Sequence, residues 1–221
     1  MNDNLKIITS NDGSHTLYRK DIDEHYHSTH GSIQESIHVF INAGLNDYLK
    51  TKQVGTLNIL EIGFGTGLNT LLTIQENQRL KQNILYHTLE PFPIPYSIIE
   101  KINFKEINKE VFSKIHEFNW EINNSINDYF TFVKIKNKIE DFNPTTKYDL
   151  IYYDAFGPNS QQEMWELKIF KHLYNLLNKN GTIVTYCAKG QVRRDLESVG
   201  FKMERLPGPK GKREMLRGIK S

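Results

Sequence analysis

The chain has a single cysteine, Cys187, in 221 residues. That excludes an intramolecular disulfide and any zinc cage built from cysteines, and it suits a reducing compartment. Proline and glycine are scarce, at 7 and 14 residues, so the chain is neither fibrous nor low in complexity. Long apolar runs are missing too, since none approaches the ~20 residues needed to cross a bilayer. The opening MNDNLKIITSNDG lacks the basic start and apolar stretch of a signal peptide. The expectation is a soluble, cytoplasmic protein that contacts no membrane. Overall charge is also small, at a formal +2, but it is unevenly placed. Residues 1–184 carry 18 Lys/Arg against 22 Asp/Glu, whereas residues 185–221 carry 10 against 4. A basic end suits a polyanionic partner, because Lys and Arg contacts to phosphate supply most non-specific nucleic-acid affinity; a solvated lysine-rich surface is the competing reading.

At 38% hydrophobic residues the chain can build a sizeable core. From residue 56 onward, short apolar runs alternate with helical stretches: TLNILEIG then LNTLLTIQENQRL, ILYHTLEP then PYSIIEKI, YDLIYYDAF then MWELKIFKHLYNLL, GTIVTYCAK then VRRDLESVG. That rhythm predicts an α/β protein with a parallel sheet covered on both faces. GFKMERLPGPKGKREMLRGI then reads as a terminal antiparallel hairpin. Residues 1–52 read as a small extension, with a hairpin in HTLYRKDIDEHYHS and a helix whose apolar stripe runs from Ile33 to Tyr48. Residues 53–221 form the expected main domain.

Three elements could carry chemistry. Glu61-Ile62-Gly63-Phe64-Gly65-Thr66-Gly67-Leu68-Asn69 lies where a strand gives way to a helix, so its glycines let backbone approach a ligand at a helix N-terminus. The spacing is GxGxG, neither the GxGxxG of dinucleotide sites nor a P-loop. Glu90 ends the next strand, where a carboxylate can accept both hydroxyls of a ribose. Asp154 ends the strand YDLIYYD, with Phe156 and Pro158 following; an Asp there can accept an amine hydrogen while Phe156 offers a flat wall.

An acidic residue two before GxGxG resembles the first motif of class I S-adenosylmethionine-dependent methyltransferases, whose loop holds the methionine end of the cofactor. More specifically, Asp154-Ala155-Phe156-Gly157-Pro158, Glu163-Met164-Trp165, Gly190-Gln191-Val192-Arg193-Arg194 and Lys212-Arg213-Glu214-Met215-Leu216-Arg217-Gly218 resemble the tRNA 5-methylaminomethyl-2-thiouridine methyltransferase family of the stand-alone MnmD type, equivalent to the methyltransferase half of bifunctional MnmC. The resemblance implies a Rossmann-like class I fold with a seven-stranded mixed sheet. It implies methyl transfer from S-adenosylmethionine to the primary amine of 5-aminomethyl(-2-thio)uridine at the tRNA wobble position, without FAD or metal. The amine would come from other wobble-uridine enzymes. Glu61, Gly63, Gly65, Gly67, Asn69 and Glu90 are then cofactor residues, and Asp154 the catalytic one. Phe156, Pro158, Lys189, Arg193, Lys210, Lys212 and Arg213 are then candidates for holding the tRNA. The family's acidic Gly-Asp element near the adenine has no counterpart in FVKIKNKIEDF. A small-molecule amine methyltransferase, an aminopropyl transferase and a non-catalytic tRNA-binding module remain as alternatives.

Other features are expected to be structural. His25, His27 and His30 lack the partners of a metal site. Cys187 reads as a buried hydrophobe, Trp165, Phe170, Leu173 and Leu177 as core, and the run from Lys134 to Lys138 as a solvated edge. Arg213 and Glu214 can pair internally instead of contacting tRNA.

Overall fold

The computed structural model describes residues 4–29, 31–104 and 107–221. An eight-stranded sheet runs in the order β10-β11-β9-β8-β4-β5-β7-β6. Its parallel centre is β4 (Thr56–Ile62), β5 (Asn83–Leu89), β7 (Phe130–Ile135), β8 (Tyr148–Tyr153) and β9 (Leu177–Thr185). The C-terminal hairpin of β10 (Phe201–Pro207) and β11 (Glu214–Lys220) joins antiparallel through β11. The strand count exceeds the expected seven because a short antiparallel strand, β6 (Asn124–Asn127), pairs with β7; its sequence NSIN has no apolar run to mark it.

Alternate residues of each central strand serve opposite cores. Leu57 and Ile59 of β4, with Leu150 and Tyr152 of β8, face one apolar cluster. Leu60 and Ile62, with Ile151 and Tyr153, face the other. The second face is covered by α6 (Leu167–Leu176), through Ile169, Phe170, Leu173 and Leu176, and by α7 (Gly190–Ser198), through Val192 and Leu196. The first is covered by α3 (Leu68–Leu80), by α5 (Lys109–Glu117) and by a helical run over residues 32–51.

That run is α-helical over Ser32–Ser36 (α1), π-helical over Ile37–Asn46 and α-helical again over Asp47–Thr51 (α2). The π turn buries Phe40, Ile41, Gly44 and Leu45, α2 adds Tyr48, and the π stretch packs on β8, β9 and β11. Gly44 permits the contact: a Cβ there would lie 3.2 Å from both Tyr152 Cε1 and Val184 Cγ2. Gly44→Leu is expected to lower stability by about 1–3 kcal/mol through overpacking, read as a lower urea midpoint at unchanged slope.

Before this run, β1 (Leu5–Thr9), β2 (His15–Arg19) and β3 (Glu24–His25) form a separate antiparallel sheet. The helix read in PYSIIEKI shrinks to one turn, α4 (Tyr96–Ile99), with Pro95 immediately before it and Glu100 closing it. One expectation fails outright. Lys134 is 1% exposed, because it follows Phe130 and Phe132 on the inward face of β7. Its Nζ donates to the His116 carbonyl at 2.6 Å and lies 5.0 Å from the centre of the Trp120 ring.

Candidate active site

The carboxyl ends of β4, β5 and β8 converge on a cavity of about 500 Å³, at the switch point where open α/β sheets bind ligands. Backbone ladders fix its three walls. Gly63 and Phe64 donate to the Leu89 carbonyl at 3.0 and 3.2 Å, Glu90 donates to Ile135 at 3.0 Å, and Asp154 donates to Ile62 at 3.1 Å. The glycine loop, Glu90 and the Asp154 loop therefore sit side by side.

In the glycine loop, Gly63 and Gly65 have φ of 93° and 50°. A Cβ on Gly63 would stand 2.8 Å from the Asp154 carbonyl oxygen, and one on Gly65 would stand 3.0 Å from the Tyr26 ring. Both line the cavity as bare backbone. Gly67, with φ of 77°, starts α3 but packs away from the cavity against His116 and Phe64.

Glu90 is half-buried, and its two oxygens accept the backbone N–H groups of Gly65 (3.1 Å) and Phe92 (3.0 Å). Burial pushes its carboxyl up, and those bonds together with Arg19 oppose the rise. Asp154 accepts Asn69 Nδ2 at 2.8 Å. Burial pushes its carboxyl up to about 7, against the bond from Asn69 and the charge of Lys212 and with the charge of Glu35. Asn69 lines the cavity wall, and its Oδ1 is buried without a hydrogen-bond partner.

The Asp154 loop is braced from every side. Trp165 Nε1 donates to the Phe156 carbonyl at 2.7 Å, Tyr186 OH to the Ala155 carbonyl at 2.8 Å, and the Phe156 N–H to Gln161 Oε1 at 3.3 Å. Trp165 is thus core, as expected, and also a support for the site. Cys187 is buried as well, with its thiol pushed up by burial.

Arg19, residues 24–29 and Glu35 form the roof. Tyr26 packs edge-on against Phe156 with ring centres 4.9 Å apart, the Arg19 guanidinium lies 5.5 Å from the Phe156 ring centre, and Ser160 donates to Glu24 at 2.8 Å. His27 stands between Thr16 (3.3 Å) and Thr66 (3.2 Å). Burial holds its imidazole down at about 4, so it stays neutral and pins the roof to the glycine loop. No group of His, Cys, Asp and Glu suited to a metal occurs among the described residues; His30 lies outside them. Sequence reasoning missed Arg19, Tyr26, His27 and Glu35 as site residues. Alternation around the first three marks a hairpin, and Glu35 lies in the helical stripe that follows, but nothing local says where either packs.

Several sequence-derived site residues lie elsewhere. Glu61 is fully buried behind the wall, where Thr70 Oγ1 donates to Oε2 at 3.0 Å while Oε1 has no partner. Burial pushes its carboxyl up to about 8. Pro158, Lys189, Arg193, Lys210 and Arg213 are off the cavity wall. Lys189 reaches Asn159 at 2.6 Å, and Arg193 pairs with Glu197 along α7. Lys210 and Arg213 are exposed. Lys212 lies inside the cavity, bound to Glu35. Glu214 pairs with Arg205 at 3.6 Å, not with Arg213.

A model of a family described as S-adenosyl-L-methionine-dependent methyltransferase matches residues 100–221, more than half of the chain. The chain belongs to that family. The methyltransferase is 33% identical to the tRNA 5-methylaminomethyl-2-thiouridine biosynthesis bifunctional protein MnmC of Leptospira interrogans, over 92% of this chain and 33% of that protein. It is 28% identical to the MnmC of Cupriavidus metallidurans, over 94% of this chain and 33% of that one. The methyltransferase thus spans about a third of the length of these curated relatives. Among solved structures, MNMC2 from Aquifex aeolicus shares the fold with a TM-score of 0.83 at 24% identity, over 97% of this chain and 70% of that one. Spermidine synthase from Thermotoga maritima shares it at 0.61 and 10% identity, over 98% and 68%.

The cavity fits the cofactor that this family uses. Each Glu90 oxygen keeps a second lone pair for a hydroxyl, the bare backbone of Gly63 and Gly65 leaves room for close approach, and Asn69 Oδ1 offers an unpaired acceptor. When bound, S-adenosylmethionine supplies a methyl group made electrophilic by its positively charged sulfur.

Proposed function

We propose that this methyltransferase methylates the primary amine of 5-aminomethyl(-2-thio)uridine at the wobble position of tRNA. The observation that carries this reading is the likeness along 92% of the chain to a protein named for 5-methylaminomethyl-2-thiouridine biosynthesis. The site chemistry supports it. Asp154 accepts a hydrogen from the amine and turns the nitrogen lone pair toward the methyl group. Phe156, held through its carbonyl by Trp165, presents a flat wall to the base. The roof of Arg19, Tyr26 and His27 limits water at the reacting nitrogen. Holding nitrogen and methyl carbon at near-attack distance can lower the barrier by about 7–11 kcal/mol. In this reading Glu61 props β4 against α3 from behind the glycine loop, and an enzyme acting earlier on the same uridine installs the amine. The reading places the reaction in the cytoplasm; no described helix is long and apolar enough to cross a membrane.

The test is methyl transfer from labelled S-adenosylmethionine to tRNA of cells that lack the modification, with the nucleosides resolved by mass spectrometry and a polyamine offered in parallel. Methylaminomethyl-uridine as the labelled product is expected. Label on the polyamine alone would overturn the reading.

For tRNA binding, the exposed Lys210 and Arg213 lie in the same loop as the cavity-lining Lys212. Replacing both with Ala is expected to raise the tRNA KM and to flatten its log-log salt slope by roughly 0.7–0.9 for each phosphate no longer neutralised. Cofactor affinity, read by calorimetry, should not change.

A further inference from the structure

Three residues near Asp154 on the cavity wall have no part in the reaction as described so far: Glu35, Tyr186 and Lys212. Glu35 lies on α1 with a side chain 11% exposed. Its Oε2 accepts the Ser28 backbone N–H at 3.0 Å, which sets the direction of the carboxylate without help from Lys212. Its Oε1 accepts Lys212 Nζ at 2.5 Å. The same ammonium lies 4.0 Å from the centre of the Tyr186 ring. Tyr186 is tied through its hydroxyl to the carbonyl of Ala155, the residue after Asp154. Glu35 and Lys212 both lie close enough to Asp154 to shift its titration, in opposite directions.

A fixed carboxylate, an aromatic face and a second carboxylate make a receptor for a primary ammonium. The Lys212 side chain ends in CH2–NH3+, the group that an aminomethyl-uridine would bring. We propose that Glu35, Tyr186 and Asp154 form the subsite that first receives the substrate's aminomethyl group as an ammonium, which then gives up one proton to water so that its nitrogen lone pair is free for the methyl group, and that Lys212 fills the subsite as an internal stand-in until the substrate displaces it. The proposal rests on the amine-methylating reading above. Exchange of one ammonium for another leaves Glu35 paired in both states, so its largely buried charge is never uncompensated. The cost falls on affinity, because molecules with Lys212 in the subsite must release it before the aminomethyl group enters. The neighbouring Lys210 and Arg213 are exposed, so within this loop Lys212 alone turns its charge inward.

The test compares wild type, Glu35→Gln and Lys212→Met on two forms of one tRNA, carrying either 5-aminomethyl-2-thiouridine or unmodified uridine at the wobble position. Glu35→Gln is expected to raise KM for the aminomethyl form by about tenfold or more, the loss of one charge-assisted hydrogen bond. Its Kd for the unmodified form should stay at the wild-type value. Lys212→Met should move the aminomethyl KM the other way, down by roughly threefold or more. Cofactor affinity should hold in both variants. A structural clasp between α1 and the hairpin predicts that both variants raise KM together. A phosphate contact predicts that Lys212→Met weakens both tRNAs alike. Either pattern, or equal behaviour of Glu35→Gln toward the two tRNAs, overturns the proposal and leaves the methylation reading standing. Failure of the wild type to methylate the aminomethyl form overturns the methylation reading, and the proposal with it.

Discussion

Asp154→Ala is expected to lower methyl-transfer turnover by about 10²-fold or more while the Kd for S-adenosylmethionine stays within a few-fold of wild type. The separation follows from placement. Asp154 ends β8 beside Phe156, and its polar partner is the side chain of Asn69, whereas Glu90 and the glycine loop form the neighbouring walls. Removing the carboxylate leaves the amine bound without a fixed direction for its lone pair. pH gives a second readout. Burial holds the Asp154 carboxyl at about 7, so the ionised, hydrogen-accepting form is lost as pH falls through that value. Wild-type kcat/KM should therefore decline below about pH 7, and Asp154→Asn should lose that part of the decline while keeping any that belongs to the amine. Stopped-assay turnover from pH 5.5 to 8.5, spanning about 1.5 units on either side, measures both. Wild-type turnover in Asp154→Ala would remove this residue from the chemistry.

Gly65→Val is expected to weaken cofactor binding by about 10²-fold or more, with the far-ultraviolet circular dichroism of the folded protein retained. At φ of 50° a β-branched residue is strained before any contact is counted. Its Cβ would also start 3.0 Å from Tyr26 Cδ1, leaving the two methyl groups to push the roof or the loop. Because the Gly65 N–H donates to Glu90 Oε2, moving the loop also breaks its hold on Glu90. Isothermal calorimetry reads the outcome. Binding at wild-type strength in a folded variant would mean that the loop does not face the cofactor.

Much of this arrangement was legible in the sequence, for local reasons. The glycine loop, Glu90 and Asp154 each directly follow an apolar strand, and a parallel sheet carries such strand ends to one edge whatever the rest of the chain does. The terminal hairpin was legible for the same reason, its two runs being joined by a Gly/Pro/Lys loop. What sequence could not show depends on packing between distant segments. Lys134 looks solvated within KIKNK, yet the two-residue period set by Phe130 and Phe132 turns it inward. Glu61 stands in a motif associated with the cofactor, yet its side chain turns to Thr70 behind the wall. Lys212 reads as one charge in a basic loop, and only the docking of α1 beside that loop gives it Glu35 as a partner. The π-helical stretch was hidden too, since its apolar stripe reads the same for either helix until Gly44 meets Tyr152.

A crystal structure of the protein with S-adenosylhomocysteine bound is the most direct test of the site. It should show the ribose hydroxyls on Glu90, the homocysteine part along Gly63 and Gly65, and the sulfur facing Asp154 beneath Tyr26 and Phe156. A ligand bound elsewhere, or bound here with Glu90 untouched and its sulfur turned away from Asp154, would contradict the assignment of this cavity as the methyl-transfer site.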